Sequence, residues 1–95
     1  MSLAVENIVA ERCLTFRDAS SKATDVRVLV GKPERSAEAE YFCEVHIAGI
    51  GDEKVRAIYG VDSMQALQLA LKFASDALSS YRLGLTWLGN EDIGL

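Results

Sequence analysis

Residues 59–71 read YGVDSMQALQLAL, and this stretch decides how the rest of the chain is organised. Gly60 lets the backbone turn sharply as it leaves a strand. Asp62 is predicted to be a helix N-cap whose carboxylate accepts free amide hydrogens of the first turn. Gln65 follows three residues later, where a capping-box side chain reaches back to the cap amide. Residues 63–82 contain neither Gly nor Pro and are rich in Ala and Leu, so one long helix is predicted here.

The predicted helix has an apolar arc of about 200°, whereas packing on one side needs only a stripe of about 100°. The residues of this arc are Ala66, Leu67, Leu69, Ala70, Leu71, Phe73, Ala74, Ala77, Leu78 and Tyr81. We therefore expect the helix to contact the sheet and one further element, either a C-terminal segment or a second copy of the chain. Leu69 and Phe73, at one edge of the arc, are candidate interface residues.

Alternating apolar and polar residues predict four strands before the helix, near residues 5–17, 25–30, 41–48 and 54–59. Strands joined by short loops form an antiparallel meander, and the helix is expected to cover its apolar face. The predicted fold class is α+β: a four-stranded antiparallel meander, then one long amphipathic helix packed on one sheet face, then a short C-terminal extended segment.

Three positions in this pattern need separate interpretation. In the first strand, Arg12 breaks the inward-facing set, which indicates a bulge or a sheet edge there; a helix over residues 4–14 is the alternative. His46, in the third strand, is predicted to face solvent or a partner surface. Trp87 lies in a segment too short to form a core, so it is expected to dock on the chain's own helix or on a neighbouring subunit, with free exposure as the remaining alternative. It is the third candidate interface residue.

Composition limits the function classes. Ninety-five residues fit one domain, residues 1–95, and a hydrophobic content of 49% is ample for a core. The net charge of −4 and the absence of basic clusters argue against nucleic-acid binding. The sequence has no apolar stretch near 18 residues and no signal-peptide pattern, so no membrane association and a cytoplasmic location are expected.

No residue pattern in the sequence indicates catalysis, a cofactor or a metal. Cys13 and Cys43 each lie in a strand-like run and are interpreted as buried, reduced thiols. Together with His46 they would supply three zinc ligands only by coincidence. The polar residues available to an enzyme or small-ligand cleft at the sheet edge are Tyr41, His46, Arg56 and Asp62.

Residues 60–67, GVDSMQAL, resemble the phosphopantetheine attachment motif of acyl and peptidyl carrier proteins. The resemblance implies a modified Ser63, with Asp62 and Met64 as recognition neighbours. It covers about a dozen residues. Carrier proteins are four-helix bundles, whereas about 55 strand-rich residues precede the motif here. The local match is therefore attributed to the requirements of a helix start, which favour Asp and Ser at the cap.

A broader resemblance rests on GKPE at residues 31–34, FCEVHIAGIG at residues 42–51 and IYGVDSMQALQLAL at residues 58–71. The chain is similar to a family of small uncharacterised bacterial proteins with a Tyr-Gly-Val-Asp-Ser-x-Gln-Ala-Leu-Gln-Leu signature. This resemblance implies a bacterial, cytoplasmic protein. It transfers neither an activity nor functional residues.

Three functions follow as expectations. The first is a non-enzymatic interaction module, a homodimer or a binder of another protein, which the wide helix arc and the Trp87 segment favour. The second is a small-ligand binder or enzyme with a cleft at the sheet edge. The third is a carrier protein modified at Ser63.

Overall fold

The computed structural model describes residues 3–95; Met1 and Ser2, which the predicted domain includes, lie outside the described residues. The elements are a 3-10 turn at Val5–Asn7, β1 at Ile8–Arg17, β2 at Ala23–Gly31, β3 at Glu34–Arg35, β4 at Tyr41–Ala48, β5 at Arg56–Gly60, α1 at Ser63–Leu78, a 3-10 helix at Ser79–Gly84 and β6 at Leu85–Thr86. The fold is α+β, as predicted. Two short strands, β3 and β6, make the sheet six-stranded and not four-stranded.

The four longer strands form the predicted antiparallel meander, β1–β2–β4–β5. β6 adds to the free side of β1. β3 continues the line of β2 along β4, because Tyr41 and Phe42 pair with β3 on one side and with β5 on the other. Between the pairs Val30–Val45 and Glu34–Phe42 the β2–β3 side has one more residue than β4. Pro33 lies in this interruption, since it has no N–H to donate to the ladder.

The first strand differs from the prediction in two respects. It begins at Ile8 because Val5–Asn7 form a 3-10 turn. The register shift lies between Ile8 and Ala10, whereas Arg12 pairs regularly with Val28. The predicted bulge at Arg12 is therefore wrong. The predicted alternative, a position near the sheet edge, is confirmed, because β6 pairs only with Thr15 and Phe16 and, among the described residues, the part of β1 that holds Arg12 has a strand neighbour only in β2. The alternative of a helix over residues 4–14 is also wrong.

The helix packs on the sheet through a spine of small residues. Ala66, Ala70 and Ala74, followed by Leu78, are completely buried over β4 and β5. Alanine side chains allow a close approach between helix and sheet. At Gly60 a Cβ atom would lie 2.4 Å from the backbone nitrogen of Ala66, so this position requires glycine.

The regular helix ends at Leu78, earlier than the pattern over residues 63–82 predicts. The Ser79 hydroxyl donates a hydrogen bond to the Asp76 carbonyl at 2.7 Å, and the backbone tightens into the 3-10 helix that runs to Gly84. A serine that bonds to the preceding turn favours such an ending.

The β1–β2 half of the inward face is covered by the C-terminal segment, residues 85–95. Leu85 and Ile93 are fully buried and join the core. Leu71 of α1 and Leu95 of the C-terminal segment both line a small cavity of about 90 Å³. The wide apolar arc of the helix therefore meets the C-terminal segment as well as the sheet, which is one of the two expected arrangements.

Two side chains that face away from α1 are nevertheless buried. His46 and Leu29 are directly opposed on β4 and β2, and both are almost inaccessible. His46 thus lies on the outer face, as the alternation predicts, but its predicted exposure to solvent is wrong, and its contact with a partner surface stays a prediction. Its Nδ1 atom makes no hydrogen bond within the described residues.

The two cysteines have different environments. Cys43 is fully buried, and this burial raises the pKa of its thiol. Cys13 is exposed. The prediction of two buried thiols is thus right for Cys43 and wrong for Cys13. Neighbouring residues of a strand face opposite sides of the sheet, and because Leu14 faces the core, Cys13 faces outward.

Candidate functional site

The junction of β5 and α1 is held by two reciprocal hydrogen bonds. The Asp62 carboxylate accepts the Gln65 N–H at 2.7 Å, and the Gln65 side-chain oxygen accepts the Val61 N–H at 2.7 Å. The capping-box pattern predicts a bond from Gln65 to the N–H of the N-cap, Asp62. The side chain instead accepts the N–H of Val61, one residue earlier. The junction fixes the start of α1 directly above the end of β5.

Ser63 is the first residue of α1, and it is exposed. Its surroundings are a six-stranded sheet with one long helix. The carrier resemblance implies a four-helix bundle around this serine, and the fold of residues 3–95 has a different architecture. The helix-start explanation of the motif agrees with the hydrogen bonds of Asp62.

β5 is an edge strand. Within residues 3–95 it pairs with β4 alone, so its other side presents backbone N–H and C=O groups without a strand partner. Such an edge is a template for pairing with another strand. Natural proteins commonly protect edges of this kind, so the neighbours of β5 decide whether it is available.

Exposed apolar side chains border this edge on both faces of the sheet. On the outer face, Tyr59 is 52% exposed and contacts Phe42, with ring centroids 5.7 Å apart. Val61, which follows the strand, is 79% exposed. On the helix side, Leu69 is 38% exposed and Phe73, one turn further along α1, is partly buried. We call the open edge of β5 together with Tyr59, Val61, Leu69 and Phe73 the β5 surface.

A cleft of about 190 Å³ lies at one end of this surface, between the β4–β5 loop and the end of α1. Its apolar lining includes Val45, Ile47, Ile50, Phe73, Ala77 and Leu78. Asp52 and Arg56 form an ion pair at its rim, with a nitrogen–oxygen distance of 2.6 Å. A hydrogen bond from the Lys54 backbone, followed by that from Arg56, lowers the pKa of Asp52. The rim charges thus satisfy one another.

The structure does not assemble the four polar residues that the sequence offers for such a cleft. Arg56 lines it, whereas His46 lies on the outer face of the sheet. Asp62 caps α1 at the opposite end of that helix, and Tyr41 packs against the core. Among residues 3–95 there is no group of three or more His, Cys, Asp or Glu side chains that could hold a metal ion.

The three candidate interface residues separate into two places. Leu69 and Phe73 lie one turn apart on the same flank of α1. Trp87 docks within its own chain beside β1, under the guanidinium of Arg12. Tyr59 and Val61 were not among the interface candidates. The sequence signal that could have found them is the run from Tyr59 to Val61, which joins an edge strand to the helix cap.

No helix within residues 3–95 is long and apolar enough to cross a membrane.

The fold and the β5 surface define the class of protein: a small α+β domain in which the outer side of β5 is unpaired, within residues 3–95, between apolar side chains. A family model described as a domain of unknown function, DUF6968, matches residues 10–95, and the chain belongs to this family. The match runs from β1 to the end of the C-terminal segment. Comparisons with curated proteins and with solved structures found no match.

Proposed function

We propose that this chain is a non-enzymatic protein-interaction module that self-associates through the β5 surface. The observation that carries this proposal is the open edge of β5, bordered by Leu69 and Phe73 on one face of the sheet and by Tyr59 on the other. Backbone groups of an edge strand supply hydrogen bonds to a partner strand, and the flanking apolar side chains supply buried area. Exposed apolar clusters of this kind commonly mark protein-binding sites.

The arrangement of charges supports a non-enzymatic role. Glu11 pairs with Arg27, Asp52 with Arg56, and Lys72 with Asp76, each pair at the protein surface. In an active site, charged groups converge on a pocket and have perturbed pKa values because of it. Here the shifted carboxylate pKa values of Glu11 and Asp52 trace to hydrogen bonds within exposed pairs and turns.

The self-association is tested by measuring molar mass by light scattering during size-exclusion chromatography over a wide range of protein concentrations. We expect the wild-type chain to form a dimer and Leu69→Glu to weaken it by roughly 1–3 kcal/mol, since a charge would enter the buried contact. Leu83→Glu is the matched control, because Leu83 is fully exposed in the 3-10 helix away from β5. A wild-type chain that stays monomeric at every concentration would refute the proposal.

The alternative function is small-ligand binding in the cleft of about 190 Å³, favoured by its apolar floor and by Arg56 at its rim. Ile50→Trp would fill this cleft. Small-molecule fragments whose binding shifts the NMR signals of Phe73 and Ala77 in the wild-type chain, but not in Ile50→Trp, would support the alternative. Association that is unchanged in Ile50→Trp would show that the cleft and the β5 surface act separately.

A further inference from the structure

We propose that two copies of the chain join their β5 strands antiparallel about a two-fold axis that passes through Ile58. The two sheets then become one continuous sheet, and the two α1 helices lie side by side on the same face of it. This inference rests on the proposed self-association and adds its partner, its register and its contacts.

The geometry of an antiparallel ladder allows few registers. Directly opposed residues have side chains on the same face of the sheet. Ile58 faces the core and α1, whereas Tyr59 faces outward beside Phe42. An even-numbered residue of β5 must therefore oppose an even-numbered residue of the second copy. The two-fold axis consequently passes through a single residue, and the central positions of β5 are Ala57, Ile58 and Tyr59.

Charge complementarity selects Ile58. With the axis there, Arg56 and Gly60, the two ends of β5, oppose each other and the ladder uses the whole strand. Lys54 and Asp62 lie two residues beyond these ends, so each Lys54 comes near Asp62 of the second copy, and the approach occurs twice by symmetry. Within the described residues Lys54 belongs to none of the ion pairs. Asp62 uses its Oδ1 atom to cap Gln65, which leaves Oδ2 available to a cation. Opposite charges facing each other across a ladder are stabilising.

The two neighbouring registers are less favourable. An axis through Ala57 would oppose Gly60 to Lys54, which lies outside β5, and would bring the turn that holds Asp52, a like charge, toward Asp62 of the second copy. An axis through Tyr59 would place Arg56 opposite that aspartate, but Arg56 is already bound by Asp52 at 2.6 Å. In that register Lys54 would lie beyond Asp62, beside the first turn of α1, and would not pair with that aspartate.

Side-chain sizes agree with the same register. Tyr59 lies opposite Ala57 of the second copy, so a large exposed ring covers a small exposed residue. Val55 and Val61 adjoin the two ends of β5, so the same register brings Val61 of one copy near Val55 of the other. Val61 is one of the most exposed apolar residues near β5, and this contact would cover it.

The helices also come to the right distance. α1 lies over β4 and β5, and neighbouring strands are about 4.8 Å apart. The axis lies half a strand spacing beyond β5, so the two helix axes are about 10 Å apart, at the upper end of the range for packed helices. Gly60 approaches Ala66, and Arg56 lines the same cleft as Phe73. Ile58 is midway between these two strand residues, which brings Leu69 of both copies to the axis.

The register is tested by disulfide formation in a Cys13→Ser background, which removes the exposed thiol. Ala57→Cys, Ile58→Cys and Tyr59→Cys are made separately and oxidised mildly as dimers. For a cysteine on the axis, the Cα atoms of the two copies are within about 6 Å of each other. For a cysteine one residue from the axis, the same two atoms are roughly 8 Å apart, beyond disulfide reach. We expect Ile58→Cys to cross-link at least tenfold faster than either neighbour.

The outcomes separate the two proposals. A monomeric background protein would refute the self-association and this inference with it. A dimer in which Ala57→Cys or Tyr59→Cys cross-links fastest, or in which none of the three does, would refute the register and leave the self-association in place. A dimer with preferential Ile58→Cys cross-linking would support both.

A second measurement covers the case in which Ile58→Cys does not fold. The double variant Val55→Cys, Val61→Cys should cross-link across the same register, and either cysteine alone should not. Lys54→Glu should raise the dimer dissociation constant about tenfold, because two ion pairs become repulsions. Lys32→Glu, an equal charge change on the β2–β3 turn, should leave the constant unchanged. An equal effect of both lysine variants, or no Val55–Val61 cross-link, would overturn the inference.

Discussion

The guanidinium of Arg12 lies over the indole ring of Trp87, with its central carbon 3.8 Å from the ring centroid. The same guanidinium donates hydrogen bonds to the carbonyls of Ile93 and Gly94, both at 3.1 Å. A charged residue on the inward face of β1 is thus the attachment point of the C-terminal segment. This explains how Arg12 is accommodated in an otherwise apolar alternation without a bulge.

Arg12→Ala should therefore loosen the C-terminal segment. The loss of the cation–π contact and of two charge-assisted hydrogen bonds should lower the free energy of unfolding by about 2 kcal/mol. Urea denaturation measures the stability, and the emission maximum of Trp87 should move to longer wavelength as the ring gains water. Arg35→Ala is the control, since Arg35 is exposed on the short strand β3. Unchanged emission in Arg12→Ala would contradict the role assigned to this residue.

Gly60→Ala should be strongly destabilising. The added Cβ atom would meet backbone atoms of Ala66 and Gln65 at 2.4–2.9 Å, where neither can move without shifting α1. We expect a loss of about 3 kcal/mol, the upper range for overpacking. Gly31→Ala is the matched control, because the contacts there begin at 3.4 Å and should be tolerated within about 1 kcal/mol. Equal stability of the two variants in chemical denaturation would show that the helix does not approach the strand so closely.

Asp62→Ala removes the N-cap of α1 and should cost about 1 kcal/mol of stability. Ser63→Ala, at the next position, should change stability by less than about 0.5 kcal/mol, since Ser63 is exposed. Thermal unfolding followed by circular dichroism at 222 nm compares the two. If Ser63→Ala were the more damaging substitution, Ser63 and not the Asp62 cap would stabilise the start of α1.

Acid should weaken the fold partly through Glu11. The hydrogen bond from Arg27, across a distance of 2.5 Å, lowers the pKa of Glu11 in the folded chain. A carboxylate whose folded pKa is depressed stabilises the protein above its unfolded pKa, and this stabilisation is lost as pH falls through the folded value. Melting temperatures should therefore fall less steeply below about pH 4.5 in Glu11→Gln than in wild type.

The control for this pH series is Glu91→Gln, an exposed carboxylate outside the three ion pairs of the described residues. Its melting curve against pH should run parallel to that of the wild-type chain. Glu11→Gln and wild type should converge in acid, where Glu11 is protonated in both folded and unfolded states. A constant difference between them at every pH would assign the effect of Glu11 to packing.

The two thiols should differ in reactivity. A thiol-specific reagent such as Ellman's reagent should modify Cys13 at once, because it is exposed, and Cys43 only as fast as the chain unfolds. Burial both blocks access to Cys43 and raises its pKa, which lowers the thiolate fraction that reacts. Cys13→Ser should abolish the fast phase. A fast phase that persists in this variant would mean that Cys43 is accessible.

The local elements of the fold could be predicted because neighbouring residues determine them. Val26, Val28 and Val30 alternate with Asp25, Arg27 and Leu29, and all three valines are buried in β2. α1 starts where the glycine, the aspartate and the apolar repeat indicate. Strand β3 was missed because two residues beyond Pro33 give no periodicity.

The remaining errors depend on contacts between distant parts of the chain. Trp87 could not be assigned to Arg12, since no local pattern joins residues on β1 and in the C-terminal segment. His46 was expected by alternation alone to face solvent or a partner surface, yet on the outer face it is buried opposite Leu29, which is buried as well. The β5 surface needed the strand order, because the sequence does not indicate which strand has an open edge.

The attachment of the C-terminal segment has a consequence for the timing of folding during synthesis. Arg12 and Ile93 are 81 residues apart, so β1 leaves the ribosome long before the segment that covers it. At typical translation rates the interval is about 4–16 s. During that time the apolar face of β1 and β2 has no cover from Ile93 or Leu95. In a nascent chain, the apolar face of β1 and β2 therefore gains its cover from Ile93 and Leu95 only when residues 85–95 emerge.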